Sequence, residues 1–523
     1  MNTERKPMLT VTVNEATLEV PQGTNVVEAA EMAGQEIPHY CYHPGLSVAG
    51  NCRMCLVEVK ALSFKQPNPL PKLQIGCNTL VQDGMVVDSR GEDVREAVRG
   101  VLELLLVNHP LDCPVCDQAG ECKLQEYYMD YGRHKSLVAA HDKTSKLKAL
   151  EVGPDIMLDQ ERCILCTRCV RFLDEIASTH ELAIIERGDH SRVELVPGSA
   201  VDNDYAGNIV DICPVGALTS RDFRFRSRVW FLASSDAVCT GCSTGCNVRV
   251  DSRDGSVYRI KPRYNPEVNG HWMCDHGRRL HGEVLGRRLD HSMVRRDGAF
   301  VAVEPETAVA EAVAGISRAG KVAIVASAEA SVEEGFLAAA ISSRVGGGRL
   351  IVDSPAVSDV ADDGVLVSTD RFPNRAGLLG LGFVESEEIP RDAGAILVLR
   401  ADPVLGREGW AAVLEEMTSV VAVMSRDSET AAFADQVLAA GSHFEAEASF
   451  VNRQGRLQLS HASIAAPAGV LPGWRVLAGL LAGLGGTDYR DFSELSARAA
   501  ACLGSQGPPR VECEALENSP KAI

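Results

Sequence analysis

The sequence has no long apolar run. Its richest stretch, "VLELLLV", is interrupted by Glu103 and is far shorter than the roughly 20 apolar residues a helix needs to cross a bilayer. The opening "MNTERKPMLTVTV" lacks the apolar core of a secretory signal. The expectation is a chain made and kept in the cytosol, where cysteines stay reduced and dense cysteine motifs mean metal or redox sites instead of disulfides. Basic residues are in the minority, 52 Lys and Arg against 71 Asp and Glu, for a formal net charge of −19. That argues against a nucleic-acid surface, which needs clustered cations; it fits solubility or docking to basic partners. No GxGxxG follows a strand pattern, and "VGGGR" closes a helix pattern where a phosphate loop would open one, so neither NAD nor flavin is expected on this chain. Cysteine is scarce beyond Cys274: only Cys502 and Cys513 remain, without ligand spacing, and both read as unliganded.

The other fifteen of 17 cysteines lie between Cys41 and Cys274. They fall into four sets: Cys41, Cys52, Cys55 and Cys77; Cys113, Cys116 and Cys122 behind His109; Cys163, Cys166 and Cys169 with the distant Cys213; and Cys239, Cys242 and Cys246 with Cys274. Zinc is the competing reading, since cysteine spacings overlap between metals. A zinc site, however, usually draws on two separated pairs, whereas a cubane iron–sulfur cluster has four iron corners. A tight triplet caps three of them and a remote cysteine the fourth. Triplet plus singlet favours iron–sulfur.

Local patterns place each set. "LTVTV", "TLEV" and "CLVEV" alternate as half-buried strands do, and Asn25 with Glu28 forms a capping-box pattern before a short helix ending at Gly34. The spacing Cys-x10-Cys-x2-Cys-x21-Cys resembles small [2Fe–2S] ferredoxin domains of β-grasp fold, and differs from the plant type. "ALSFKQPNPLPK" reads as a surface loop, and His43 as a packing or solvent residue. "EDVREAVRGVLELLLVNHP" is an amphipathic helix with Val94, Val98, Val101, Leu102 and Leu105 on one face and Pro110 as its stop. His109 then sits at the helix end, facing the cysteine loop, and supplies the ligand the triplet lacks. A neutral imidazole in place of a thiolate should by itself raise a cluster's potential. "CILCTRC" and the later "CPVGAL" resemble a bacterial ferredoxin motif whose terminal Cys-Pro has moved downstream. "CTGCSTGC" runs into a hairpin with "RDG" at its turn. Beyond, "GKVAIVAS", "GAILVLRADP" and "SVVAVMSRD" are buried-strand patterns separated by helical ones, predicting a doubly wound α/β domain.

The four motifs in this order, over roughly residues 8 to 280, resemble the large iron–sulfur subunit of respiratory complex I, known in mitochondria as the 75 kDa subunit. The resemblance implies one [2Fe–2S] cluster on Cys41, Cys52, Cys55 and Cys77. It implies three [4Fe–4S] clusters: on His109, Cys113, Cys116 and Cys122; on Cys163, Cys166, Cys169 and Cys213; and, off the main electron path, on Cys239, Cys242, Cys246 and Cys274. The implied architecture is α+β followed by α/β. A β-grasp domain spans 1–90, two [4Fe–4S] ferredoxin-like segments span 91–150 and 151–228, a fourth cluster domain spans 229–285, and a degenerate molybdopterin-oxidoreductase-like scaffold spans 286–523. Electrons would come from an NADH-oxidising flavoprotein partner. They would enter at the first set, pass to the third, then the second, and leave to another iron–sulfur subunit of the peripheral arm. The location would be the cytoplasmic face of the bacterial inner membrane, with the membrane arm an indirect partner and no independent catalytic site on this chain.

Two other functions share parts of the pattern. From "RVWFLASSDAVCTGC" onward, with "RADPV" around Asp402 and "FVNRQGRLQ" at Phe450 to Gln458, the chain is also similar to catalytic molybdopterin enzymes. Those usually carry a lysine where "CDHG" has His276, and a further C-terminal domain, so no molybdopterin is expected. An iron–sulfur subunit of an NAD-linked hydrogenase or formate dehydrogenase resembles the first 220 residues, but the fourth set and the scaffold favour complex I.

Overall fold

A computed structural model describes residues 6–133, 135–136, 138–354 and 362–503 of the chain. The polypeptide divides between Phe231 and Leu232 into two compact units. Cys513 lies outside the described residues.

The first unit begins with a five-stranded sheet in the order Ala16–Pro21, Met8–Val13, Met85–Asp88, Leu56–Ala61, Gln74–Ile75. Met8–Val13 runs parallel to Met85–Asp88; the other pairs are antiparallel. Alternation does what the sequence implies: Val11, Val13, Val57, Val59 and Val87 are buried together. The helix Val26–Met32 lays Val26, Val27, Ala29 and Ala30 on this core and starts with the expected capping box. "ALSFKQPNPLPK" is mostly exposed, as a surface loop should be.

The helix Glu92–Leu106 buries Val94, Val98 and Leu102 against Leu124 and Tyr127 of the helix Lys123–Tyr131. It stops at Leu106, earlier than Pro110 requires. Lys143 donates to the carbonyls of Leu106 (3.0 Å) and His109 (2.8 Å) there, and Thr144 N–H to the Asn108 side chain (3.0 Å). A cation on carbonyls at a helix C-terminus satisfies groups the helix leaves unpaired. A short sheet, Leu218–Ser220, Ile156–Leu158 and Leu150–Glu151, and a hairpin, Leu182–Ile185 with Arg192–Leu195, complete the unit.

The second unit opens with three antiparallel strands, Ala233–Val238, Asn247–Arg253 and Ser256–Pro262. Asp254 and Gly255, both at positive φ, make the turn foreseen at "RDG". Its main sheet has eight strands. Six are parallel, in the spatial order Val384–Glu385, Leu350–Val352, Val322–Ala326, Ala395–Leu399, Ser419–Met424, Gln436–Ala439. The hairpin Ser292–Arg296 and Ala299–Val303 extends it antiparallel. Residues 322–326, 395–399 and 419–424 are buried on both faces, as parallel strands covered by helices must be. One face packs on the helices Pro305–Ala319, Val332–Arg344, Gly473–Gly483 and Phe492–Leu503; the other packs on Trp410–Glu416. Cys502 is buried in the first of these cores.

Candidate metal centres

None of the fifteen cysteines from Cys41 to Cys274 is in a disulfide. Each of the four sets comes together in space. In the first, Cys41, Cys55 and Cys77 are buried and Cys52 half-buried; Cys41 N–H donates to Cys52 Sγ at 3.4 Å, and the thiol of Cys41 lies within hydrogen-bonding reach of Cys52 and Cys77. Those two contacts pull the Cys41 thiol far below its ordinary range, and the same contact drives Cys77 up. Gly76 is needed here: a Cβ on it would stand 2.9 Å from the Cys55 carbonyl, which its own N–H contacts at 2.8 Å. His43 accepts from Gly45 N–H inside the loop (3.1 Å).

In the second set His109, Cys113 and Cys122 line one cavity of about 370 Å³. Cys116 interacts electrostatically with Cys113 and Cys122 from the same loop. Burial, reinforced by the nearby Arg162 guanidinium, pushes the His109 imidazole down to about 4. It is therefore neutral near pH 7, the state in which a ring nitrogen can ligate. In the third set all four cysteines line a small cavity of about 20 Å³. Between them the backbone turns left-handed twice at residues that dislike it, Leu165 (φ 53°) and Thr167 (φ 66°). In the fourth set all four are buried. A Cβ on Gly277 would come within 2.9 Å of Cys239 Sγ and 3.8 Å of Cys274 Sγ. His276 packs against Gly241, whose added Cβ would meet its ring at 3.1 Å.

Do these residues suit iron–sulfur clusters? Burial raises Cys163 to about 12 and Cys122 and Cys166 to about 11, so bare thiols there stay protonated. Backbone N–H groups work the other way. Leu165 N–H reaches Cys163 Sγ (3.5 Å), Arg168 that of Cys166, and Val170 that of Cys169; Ala217 and Leu218 reach Cys213, whose thiol donates to the Val215 carbonyl (3.1 Å). Gln118 serves Cys116, Leu124 and Gln125 serve Cys122, Gly241 serves Cys239, and Gly277 serves Cys274. Donors aimed at buried sulfur stabilise thiolate, the form that binds iron. Four-donor sets that are mostly buried or half-buried, with Cys113 exposed, and with amides on the sulfurs fit the clusters. Among the described residues, no three His, Cys, Asp or Glu side chains are gathered as a single-ion site.

The fourth loop rests on a hairpin 200 residues away in sequence, Ala448–Val451 and Leu457–Ser460. Asn452 donates to the Thr244 carbonyl (3.2 Å), Arg453 N–H to that of Ser243 (2.8 Å), and Gln458 to that of Gly245 (2.9 Å). "FVNRQGRLQ" is legible as a signature, but its role as the clamp on "CTGCSTGC" is not. Asp402 of "RADPV" accepts from Thr430 N–H (2.9 Å) and Glu429 N–H (3.0 Å), so it holds a turn and no cysteine.

Four family models match the chain in series. They are the 2Fe-2S iron-sulfur cluster binding domain over 6–92 and the NADH-ubiquinone oxidoreductase-G iron-sulfur binding region over 99–136. The ferredoxin-like domain of NADH-quinone oxidoreductase subunit 3 matches 153–219, and the molybdopterin oxidoreductase Fe4S4 domain matches 232–286. The NADH-quinone oxidoreductase G subunit of Rickettsia bellii is 39% identical over 342 residues, which is 65% of this chain and 49% of the relative. Over this span the chain is similar to the G subunit. The G subunit of Streptomyces coelicolor is 44% identical over 273 residues (52% of this chain, 31% of the relative). The mitochondrial 78 kDa subunit of Candida albicans NADH-ubiquinone oxidoreductase is 40% identical over 302 residues (57% and 40%). The chain spans about half the length of the Rickettsia relatives it matches. A solved chain of an NAD+-reducing [NiFe]-hydrogenase is 31% identical, covering 42% of this chain and 91% of its own at a TM-score of 0.36. Among the described residues no helix is long and apolar enough to cross a membrane.

Proposed function

We propose that this chain is an electron-relay subunit in the peripheral arm of an NADH–quinone oxidoreductase. It would carry one [2Fe–2S] cluster on the first set and [4Fe–4S] clusters on the other three, with no molybdopterin, flavin or NAD of its own. When bound, such a cluster accepts and returns one electron with little rearrangement of its surroundings.

The observation that carries this reading is a shared core. Cys41 and Cys52 of the first set, Cys122 of the second and Cys163, Cys166 and Cys213 of the third all join one apolar cluster, built on Tyr40, Met54, Val98, Leu102, Leu124 and Tyr127. The chain's own residues do three things there. They supply the ligands, shield most of the sulfurs from water, and lock the loops to each other. Arg171 donates to the Cys41 carbonyl and Arg168 to that of Tyr42, tying the third set to the first. Lys123, next to Cys122, donates its N–H to the Pro214 carbonyl (3.1 Å), next to Cys213, tying the third set to the second. The polypeptide thus ties the third set to both the first and the second, and Tyr40, beside Cys52 and Cys122 and packed on Tyr127, brings the first and second together as well.

In this reading residues 1–90 form a β-grasp ferredoxin domain, 91–150 and 151–228 carry two cubanes, 229–285 holds the off-path cubane, and 286–523 is a doubly wound scaffold. A flavoprotein delivers electrons from NADH, other iron–sulfur subunits receive them, and the complex sits on the cytoplasmic face of the inner membrane. Iron and acid-labile sulfide counting with EPR on the assembled complex tests the reading. About fourteen sulfides per chain are expected, two from the binuclear and four from each tetranuclear centre. Zinc, molybdenum or tungsten in their place overturns it. Purification with a hydrogenase instead of a quinone-reducing membrane arm would move the chain to the other NAD-linked class.

A further inference from the structure

Arg168 stands between Cys166 and Cys169, at the start of the helix Arg168–Phe172. Its Nη1 donates to the carbonyl of Ile212 at 3.1 Å, and Ile212 precedes Cys213. Its Nη2 donates to the carbonyl of Tyr42, which follows Cys41. Its Nε is shielded from solvent and has no acceptor among the described residues. The groups whose ionised forms would act on it are the thiols of Cys166, Cys213 and Cys41 and the phenol of Tyr127, of which the phenol is held neutral by burial. No Asp or Glu among the described residues forms an ion pair with it. Arg162, beside the second set, is different: Asp112 (2.7 Å) and Asp159 both pair with it.

A half-buried guanidinium whose Nε is shielded, held on two carbonyls, is favoured by negative charge close by. Four thiolates around an iron–sulfide core provide it, and the net negative charge grows by one on reduction. A fixed cation nearby therefore favours the reduced state. Because Arg168 touches the backbone of two ligand loops at once, its charge acts on two centres together.

We propose that Arg168 is a positioning residue and the shared counter-charge of the Cys41 and Cys163 sets, raising both reduction potentials in parallel while it pins the two loops to each other. The inference rests on the relay reading above. A parallel effect matters because it strengthens the electron affinity of both centres without opening a gap between them.

The test is an EPR-monitored redox titration of the assembled complex carrying wild-type chain, Arg168→Gln or Arg168→Lys, with iron and sulfide counted in each. Gln keeps a donor and loses the charge; Lys keeps the charge and loses the fork. At a fixed ambient potential, Arg168→Gln is expected to lower the reduced-to-oxidised ratio of both the first-set and third-set signals about tenfold, which is about 59 mV for one electron. Arg168→Lys should leave both within about twofold of wild type. Unmoved ratios in a Gln variant with full iron content, or a shift in only one signal, overturn the inference. Should the Gln variant lose its iron, the Lys variant decides. Wild-type ratios in Lys support the charge role, whereas iron loss in Lys as well leaves only a geometric clamp and overturns the charge role. If the wild-type protein itself lacks iron and sulfide on these sets, the relay reading fails first, independently of Arg168.

Discussion

His109 shows how one residue's surroundings select its chemistry. It lies just past a helix end whose carbonyls Lys143 already occupies, so the ring is left facing the cavity it shares with Cys113 and Cys122. Replacing it with alanine is expected to abolish or alter one cubane EPR signal and cut NADH–quinone turnover. His109→Cys should keep a cluster, but at a lower potential, because a thiolate adds negative charge. A second histidine gives a pH prediction. His443 is half-buried, packs edge-on to Phe450, and is pushed down to about 3, first by burial and then by Arg400. Its folded value lies below the ordinary 6.5, so the unfolded chain binds the proton more readily. The stabilisation is complete above pH 6.5 and is lost as the pH falls toward 3. Thermal unfolding at pH 7 and pH 5 should show a larger drop for wild type than for His443→Gln. Nearby, Glu334 and Arg400 form a buried pair in which Arg400 offers both Nε (2.8 Å) and Nη2 (2.7 Å). Glu334→Gln strands the guanidinium and should cost about 3–5 kcal/mol in the same assay.

Elements here support sites they do not belong to. The hairpin Ala448–Val451 and Leu457–Ser460 holds the fourth cysteine loop through Asn452, whose side chain also accepts from Gln454 N–H and Arg456 N–H (both 3.0 Å). Asn452→Ala should destabilise the second unit by about 1–3 kcal/mol and hasten iron loss from the fourth set, read by EPR, while turnover of the assembled complex changes less. The same split is expected for Cys239→Ala. Much of this scale was legible. The strand alternation around Val11 and Val57, the capping box at Asn25 and the face of Glu92–Leu106 are local periodicities, and each appears as read. What escaped has no period. Lys143 meets His109 34 residues away and Arg168 meets Tyr42 126 residues away; nothing in the spacing of either announces its partner. The antiparallel hairpin Ser292–Arg296 and Ala299–Val303 on the parallel sheet escaped too, because strand order is set by tertiary packing.

Over the whole molecule the two units distribute their cohesion differently. In the first, the apolar cluster behind Glu92–Leu106 is interleaved with the proposed ligand cysteines. In the second, the cores on the two faces of the large sheet are built from Val, Leu, Ile and Ala, and none of the proposed ligands enters them. Stripping iron with a chelator should therefore loosen residues 92–220 first and leave 322–326, 395–399 and 419–424 protected. Hydrogen exchange before and after chelation measures this, and equal loss in both regions would contradict it. The four cysteine sets were readable because ligand spacing is local. The convergence of three of them on one core was not, because it arises from contacts between segments about a hundred residues apart.

Gly216 has a bearing on how such a protein is built in the cell. It belongs to the "CPVGAL" turn that closes the third set, yet a methyl group on it would stand 2.5 Å from the sulfur of Cys116 in the second. In the proposed reading, two metallation events, encoded far apart, would share one patch of space with no tolerance between them. A maturation defect at either is transmitted to the other, and a glycine-to-alanine lesion at this point should surface as a double cofactor deficiency.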